Sequence, residues 1–201
     1  MKKPLNLFVR FGVLSLYLLS VGISACKKQE THPSVPAFVA EDGELKNKDA
    51  SSPPKVGQKV PDFILEDRTG KKYQLSSFRG NLVFLNFWAT WCPPCVEELP
   101  AMEVLNQRFK AKKFMMIAVS ADESWERVDT FMSELNRPPS FLVLLDPEKQ
   151  LTTGVFGTTK FPETYVISPE GILLKKYEGS YNWNDPARLK EFEALLSKKD
   201  K

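Results

Sequence analysis

Histidine is almost absent from this chain, cysteine is scarce, and no apolar stretch is long. The 201 residues include one His and three Cys. That leaves little material for a closed zinc site, which needs four ligands. The single histidine, His32, stands in a polar segment far along the chain from the paired cysteines. An excess of one charge is missing too. Lys and Arg number 28 against 25 Asp and Glu, a net charge of +3. The lysines are scattered or near the ends, so the chain has no basic patch for nucleic acid. No repeat of about 20–50 residues is visible, which argues against solenoids and propellers. The run at residues 11–23 is 13 residues long. A bilayer span needs about 20.

What is present begins with that run. Lys2, Lys3 and Arg10 precede it, and Ser24, Ala25 and Cys26 follow. A basic start, a short apolar centre and small residues make the layout of a secretory signal. The stretch "ISAC" resembles the lipobox of bacterial lipoproteins, which implies lipidation of Cys26 and removal of residues 1–25. Lipid on more than one chain holds a protein stably at a membrane. Lys27, next in line, is not the Asp linked to inner-membrane retention in some bacteria. With Cys26 taken by lipid, Cys92 and Cys95 form a self-contained pair in an exported, oxidising setting. Residues 26–55 are charged and rich in Pro and Ser, with no apolar period. Such a segment reads as a flexible tether with a reach of roughly 30 Å.

From residue 56 the composition turns globular. Two strand-like halves flank Thr69-Gly70, a hairpin signal. The runs at 82–89 and 114–120 are apolar enough for strands covered on both faces. Residues 93–110 between them are long enough for a crossover helix, giving a βαβ unit. A helix is expected over 124–136, because Val128, Phe131, Met132 and Leu135 repeat at helical spacing. A strand at 141–146 follows, then a short helical piece near 149–155. Two strands meet at Pro169-Glu170-Gly171, and Asp185-Pro186 opens a last helix with Leu189, Phe192, Leu195 and Leu196 on its inner face. The expected fold is α/β over 56–201, with an N-terminal β-hairpin and an inserted helix and strand after the first βαβ unit.

The chemistry points to "NFWATWCPPCVEELP", residues 86–100. Cys92 ends the loop after a central strand, and Pro93 is the first helical residue. A helix N-terminus carries partial positive charge and free N–H groups, which favour thiolate over thiol. Cys95, one turn on, is placed to close a ring with Cys92. Pro94 removes a donor at the second helical position, leaving the N–H and S–H of Cys95 for the Cys92 sulfur. A less stabilised thiolate means a lower reduction potential, hence a better reductant.

The same stretch resembles the active site of the TlpA/ResA-like branch of thioredoxin-fold thiol–disulfide oxidoreductases. The likeness runs over roughly 56–197 and includes "GTTKFPETYVISPEG". It implies a thioredoxin-like fold, Cys92 as nucleophile, Cys95 as resolving thiol and no cofactor or metal. It also implies a cis bond at Pro162, with the Phe161 backbone beside Cys92 for client peptide. Glu98, three after Cys95, is then a candidate proton acceptor on the same helix face. Asn86 departs from thioredoxins, which carry a buried Asp there. Trp88 reads as core, and Trp91 as an apolar shelf for a flexible polypeptide. Glu97 has no assigned role, and Pro100 should kink its helix. The implied partners are exported proteins with disulfides, apocytochrome c among them, and a membrane thiol donor.

Four alternatives stay open at this stage. Metal binding by the CxxC lacks further ligands. A peroxiredoxin-type peroxidase wants P-x-x-x-T-x-x-C, but residue 89 is Ala. A noncatalytic membrane adaptor would not need the cysteines. An oxidase or isomerase would use the same pair in the opposite direction.

Overall fold

The computed structural model describes residues 52–135 and 138–197. The targeting stretch, Cys26, His32 and the tether up to residue 51 lie outside the described residues. The hairpin forms from β1 (Ile64–Glu66) and β2 (Lys72–Gln74), paired antiparallel from Ile64↔Gln74 to Glu66↔Lys72. Gly70, at φ +81°, takes the left-handed turn position that favours glycine. A 3-10 turn over Leu75–Phe78 leads into β3 (Leu82–Trp88). All seven β3 residues are buried, as a strand covered on both faces requires.

Helix α1 (Pro93–Phe109) crosses to β4 (Phe114–Ser120), which runs parallel to β3 in register from Leu82↔Phe114 to Trp88↔Ser120. The inserted pair follows as α2 (Trp125–Glu134) and β5 (Leu142–Leu145). Strand β5 is parallel to β4 and touches β1 through Glu66↔Leu145. A π-helical turn, Gln150–Val155, precedes the antiparallel strands β6 (Glu163–Ile167) and β7 (Leu173–Glu178), and α3 (Pro186–Ser197) closes the domain. The sheet order is β2-β1-β5-β4-β3-β6-β7. This is the expected α/β architecture, with the hairpin at one edge and the insertion beside β4.

One expectation needs adjustment. Helix α2 ends at Glu134 instead of reaching 136, and of its four patterned residues only Val128 is buried. Phe131 packs on the fully buried Trp88, ring centroids 5.7 Å apart, and like Met132 is only partly buried against the core. Pro100 lies inside α1, which continues past it to Phe109.

Residues alternate across β3, so one face carries Phe84, Asn86 and Trp88 and the other Leu85 and Phe87. On the first face Phe84 meets Trp183 and Phe192 at 4.8 and 5.8 Å between centroids, and Phe192 of α3 also packs on Phe109 and Phe114. Full burial of such a ring is worth about 1.5–3 kcal/mol. On the second face Phe87 packs edge-on to Phe156, which also touches Phe63 and Tyr165. The caps of α3 follow the sequence: Asp185 Oδ1 accepts from the Ala187 N–H at 2.8 Å.

Candidate active site

Strand β3 runs out at Trp88, and three loop residues bring the chain to Cys92, the N-cap of α1. Cys92 and Cys95 are joined in a disulfide, with Cα atoms 5.3 Å apart. Cys95 is fully buried and Cys92 nearly so, while Pro93 and Pro94 are exposed. The N–H of Cys95, expected to serve the Cys92 sulfur, instead donates to the Cys92 carbonyl at 3.0 Å. Val96 N–H does the same at 3.2 Å, and the Cys92 side chain makes no capping hydrogen bond. An N-cap carbonyl accepts the first intrahelical bond, which accounts for the difference. With two prolines ahead of it, this helix end offers sulfur its dipole rather than N–H donors.

Glu98 is the second element of the site. It is only 2% exposed, not a surface residue. Its Oε1 accepts from Asn86 Nδ2 at 2.9 Å. Its Oε2 accepts from Trp183 Nε1 at 3.0 Å and from the Tyr181 N–H at 3.2 Å. Burial pushes the carboxyl up from 4.5 to about 7, although the hydrogen bonds from Tyr181, Asn86 and Trp183 pull the other way. All three donors are uncharged. Glu98 thus titrates where a proton acceptor at neutral pH is useful. Asn86 also donates to Thr164 Oγ1 across the β3–β6 pair at 3.0 Å.

The loop carrying the cysteines is tied down by a residue the sequence reading did not single out. Asp122, just beyond β4 and fully buried, accepts from the Thr90 N–H at 3.0 Å and the Thr90 hydroxyl at 2.8 Å. Ser120 Oγ donates to the same carboxylate at 2.6 Å. Just ahead of β6, beside the end of β3, the Phe161–Pro162 peptide is cis. The Pro162 carbonyl accepts from the Gly179 N–H at 2.9 Å. Trp91 is 56% exposed and packs edge-on against Phe161, centroids 5.7 Å apart. Trp88 is fully buried.

Behind Pro162, Glu163 points to the other face of the sheet. It accepts from Tyr165 at 2.6 Å and from Thr158, and pairs with Lys176 Nζ at 2.9 Å. Glu163, Tyr181 and Trp183 were also missed at the sequence level. An aromatic pair just before the last helix was the available signal for the latter two. Among the described residues there is no group of three or more His, Cys, Asp or Glu side chains able to hold a metal ion.

A buried CxxC disulfide between a parallel-sheet strand and a helix, with a cis-proline loop against the neighbouring Trp91, defines a redox protein of the thioredoxin-like class. The chain belongs to the AhpC/TSA family, whose model matches residues 56–176. It is 32% identical over 180 residues to the thiol-disulfide oxidoreductase ResA of Bacillus subtilis, covering 90% of this chain and 89% of that protein. The ResA protein of Geobacillus thermodenitrificans is 29% identical over 185 residues, 92% of this chain and 94% of its own length. A crystal structure from Chlorobium tepidum, provisionally named thiol:disulfide interchange protein DsbE, superposes with a TM-score of 0.65 at 32% identity. It covers 72% of this chain and 99% of that one. The activity is that of a thiol–disulfide oxidoreductase. The peroxidase pattern of the wider fold is not met, since Ala89 stands three residues before Cys92.

Proposed function

We propose that this domain reduces disulfides of exported proteins, apocytochrome c cysteines among them, while tethered to a membrane by lipid on Cys26. The observation that carries the reading is a buried Glu98, with no cation on it among the described residues, one turn along α1 from a buried Cys95. In the reduced protein Cys92, at the mouth of the helix dipole, attacks a client disulfide and one client sulfur leaves as thiolate. Cys95 then gives its proton to Glu98 and attacks the Cys92 sulfur, and the second client thiol departs. Two electrons pass to the client and the domain ends in the disulfide form described above. The paucity of N–H donors at the helix end supports the reducing direction, because it stabilises the thiolate form weakly. Trp91 and Phe161 offer the client backbone an apolar ledge beside cis-Pro162.

Membrane tethering draws on the sequence alone, since Cys26 lies outside the described residues. Among the described residues no helix is long and apolar enough to cross a membrane. Cells expressing Cys95→Ser should accumulate client proteins disulfide-linked to Cys92, and Cys92→Ser should trap none. The reverse pattern would exchange the roles of the two thiols. Absence of adducts from both would remove the reductase reading. Palmitate labelling that survives Cys26→Ala would remove the tether.

A further inference from the structure

Asn86 holds an unusual position beside Glu98. It is fully buried on β3, directly opposite Thr164 on β6. Both its N–H bonds are used, one on Glu98 Oε1 at 2.9 Å and one on Thr164 Oγ1 at 3.0 Å. Its Oδ1, by contrast, is buried with no hydrogen-bond partner among the described residues. A buried amide oxygen without a donor is uncommon and calls for a reason.

The two ends of an amide have nearly the same shape and opposite hydrogen-bonding sense. A half-turn about the terminal side-chain bond puts Oδ1 where Nδ2 now sits. In that position it accepts from a protonated Glu98, and from the Thr164 hydroxyl, which both donates and accepts. The observed orientation suits the carboxylate; the rotated one suits the acid but turns the two N–H groups into the buried spot where Oδ1 now has no partner among the described residues. The two Glu98 oxygens are also unequal. Oε2 faces two fixed N–H donors, from Tyr181 and Trp183, in either state. Oε1 faces only the amide that can turn, so the proton belongs on Oε1.

We propose that the Asn86 amide rotates in step with the protonation of Glu98, donating to the carboxylate and accepting from the acid. The proposal rests on the reading of Glu98 as proton acceptor for Cys95. In the forward step the Cys95 S–H proton passes to Oε1. The electron pair it leaves on sulfur forms the Cys92–Cys95 bond, and the client sulfur departs with the pair of the broken mixed disulfide. When a donor dithiol reduces the pair again, Cys95 leaves as thiolate and recovers the proton from Glu98. An aspartate at position 86 would add a second anion and block this exchange.

The groups around Glu98 are few. Strand β3 brings Asn86, whose amide also reaches Thr164 of β6, and Cys95 stands one turn back along α1. The segment after β7 brings Trp183 and the titratable Tyr181. Beyond them Tyr177 packs on Tyr181 and Trp183 and donates to Glu191. Arg188 of α3 lies over the Tyr181 ring at 5.0 Å. No charged side chain touches the Glu98 oxygens among the described residues.

The test is a pH titration of the oxidised wild-type domain by NMR, following the Asn86 side-chain amide and the Glu98 carboxyl carbon together. The amide resonances should move with the Glu98 midpoint, near pH 7, and stay fixed in Glu98→Gln. An Asn86 amide indifferent to pH while Glu98 titrates overturns the proposal. A second arm measures decay of a mixed disulfide in Asn86→Leu, expected to slow at least tenfold near neutral pH. Decay at the wild-type rate overturns it as well. If the amide follows Glu98 but Glu98→Gln resolves mixed disulfides normally, the rotation is supported and the catalytic reading of Glu98 falls instead.

Discussion

Glu98 and Glu163 serve opposite faces of the same strand pair, and among the described residues only Glu163 has a cation. Glu163 pairs with Lys176 and accepts from Tyr165 and Thr158. Burial works against the Lys176 ammonium, but hydrogen bonds to Glu163 and Glu178 outweigh it and hold its pKa above the usual lysine range. Glu98 has an amide, an indole and a backbone N–H around it. Burial therefore dominates and lifts it to about 7. Burying a carboxylate does not by itself make a proton site. A buried carboxylate beside a cation fastens structure, here the loop ahead of cis-Pro162. One beside neutral donors titrates at working pH.

The largest effect should come from removing the titration. The native Glu98 binds a proton more tightly than the unfolded chain does. Its contribution is therefore fully present below about pH 4.5 and is lost as pH rises through about 7. The displacement corresponds to about 3 kcal/mol at most. Urea unfolding of wild type and Glu98→Gln across that range should show their difference changing by about that amount, with the variant gaining at high pH. A constant difference would mean that Glu98 does not titrate there.

Next in size is the conversion of the second pocket into a likeness of the first. Lys176→Met leaves Glu163 buried without its cation and should cost about 2 kcal/mol at neutral pH, since Lys176 is partly exposed. Adding Glu163→Gln should recover most of that loss. A Lys176→Met loss that Glu163→Gln leaves in place would show that the cation is not what separates the pockets.

The smallest effects come from the threonines. Thr164→Val and Thr158→Val each delete one hydroxyl, worth about 1 kcal/mol. Only Thr164→Val, which touches Glu98 through Asn86, should move the Glu98 titration midpoint in carboxyl NMR. Equal movement in both variants would contradict the separation of the two faces.

Much of the scaffold was readable because its signals are local. The runs at 82–89 and 114–120 became β3 and β4, and Asp185-Pro186 did open α3. Cys92 at a helix N-cap follows from two prolines behind an apolar run. The surroundings of Glu98 were not readable. Its donors Tyr181 and Trp183 lie 83 and 85 residues along the chain. A helical glutamate near a positive helix end looks the same in sequence whether buried or exposed. The Thr90–Asp122 tie spans 32 residues and needs the β3–β4 register to be seen. The end of α2 was overdrawn because Phe131 and Met132 keep the apolar period without full burial.

The most direct measurement is the rate at which a preformed mixed disulfide on Cys92 is resolved, followed from pH 5 to 9 in wild type and Glu98→Gln. The wild-type rate should climb through an inflection near pH 7, and the variant should lose that inflection and run at least tenfold slower at neutral pH. Superimposable profiles would contradict the assignment of Glu98 as the group that takes the Cys95 proton.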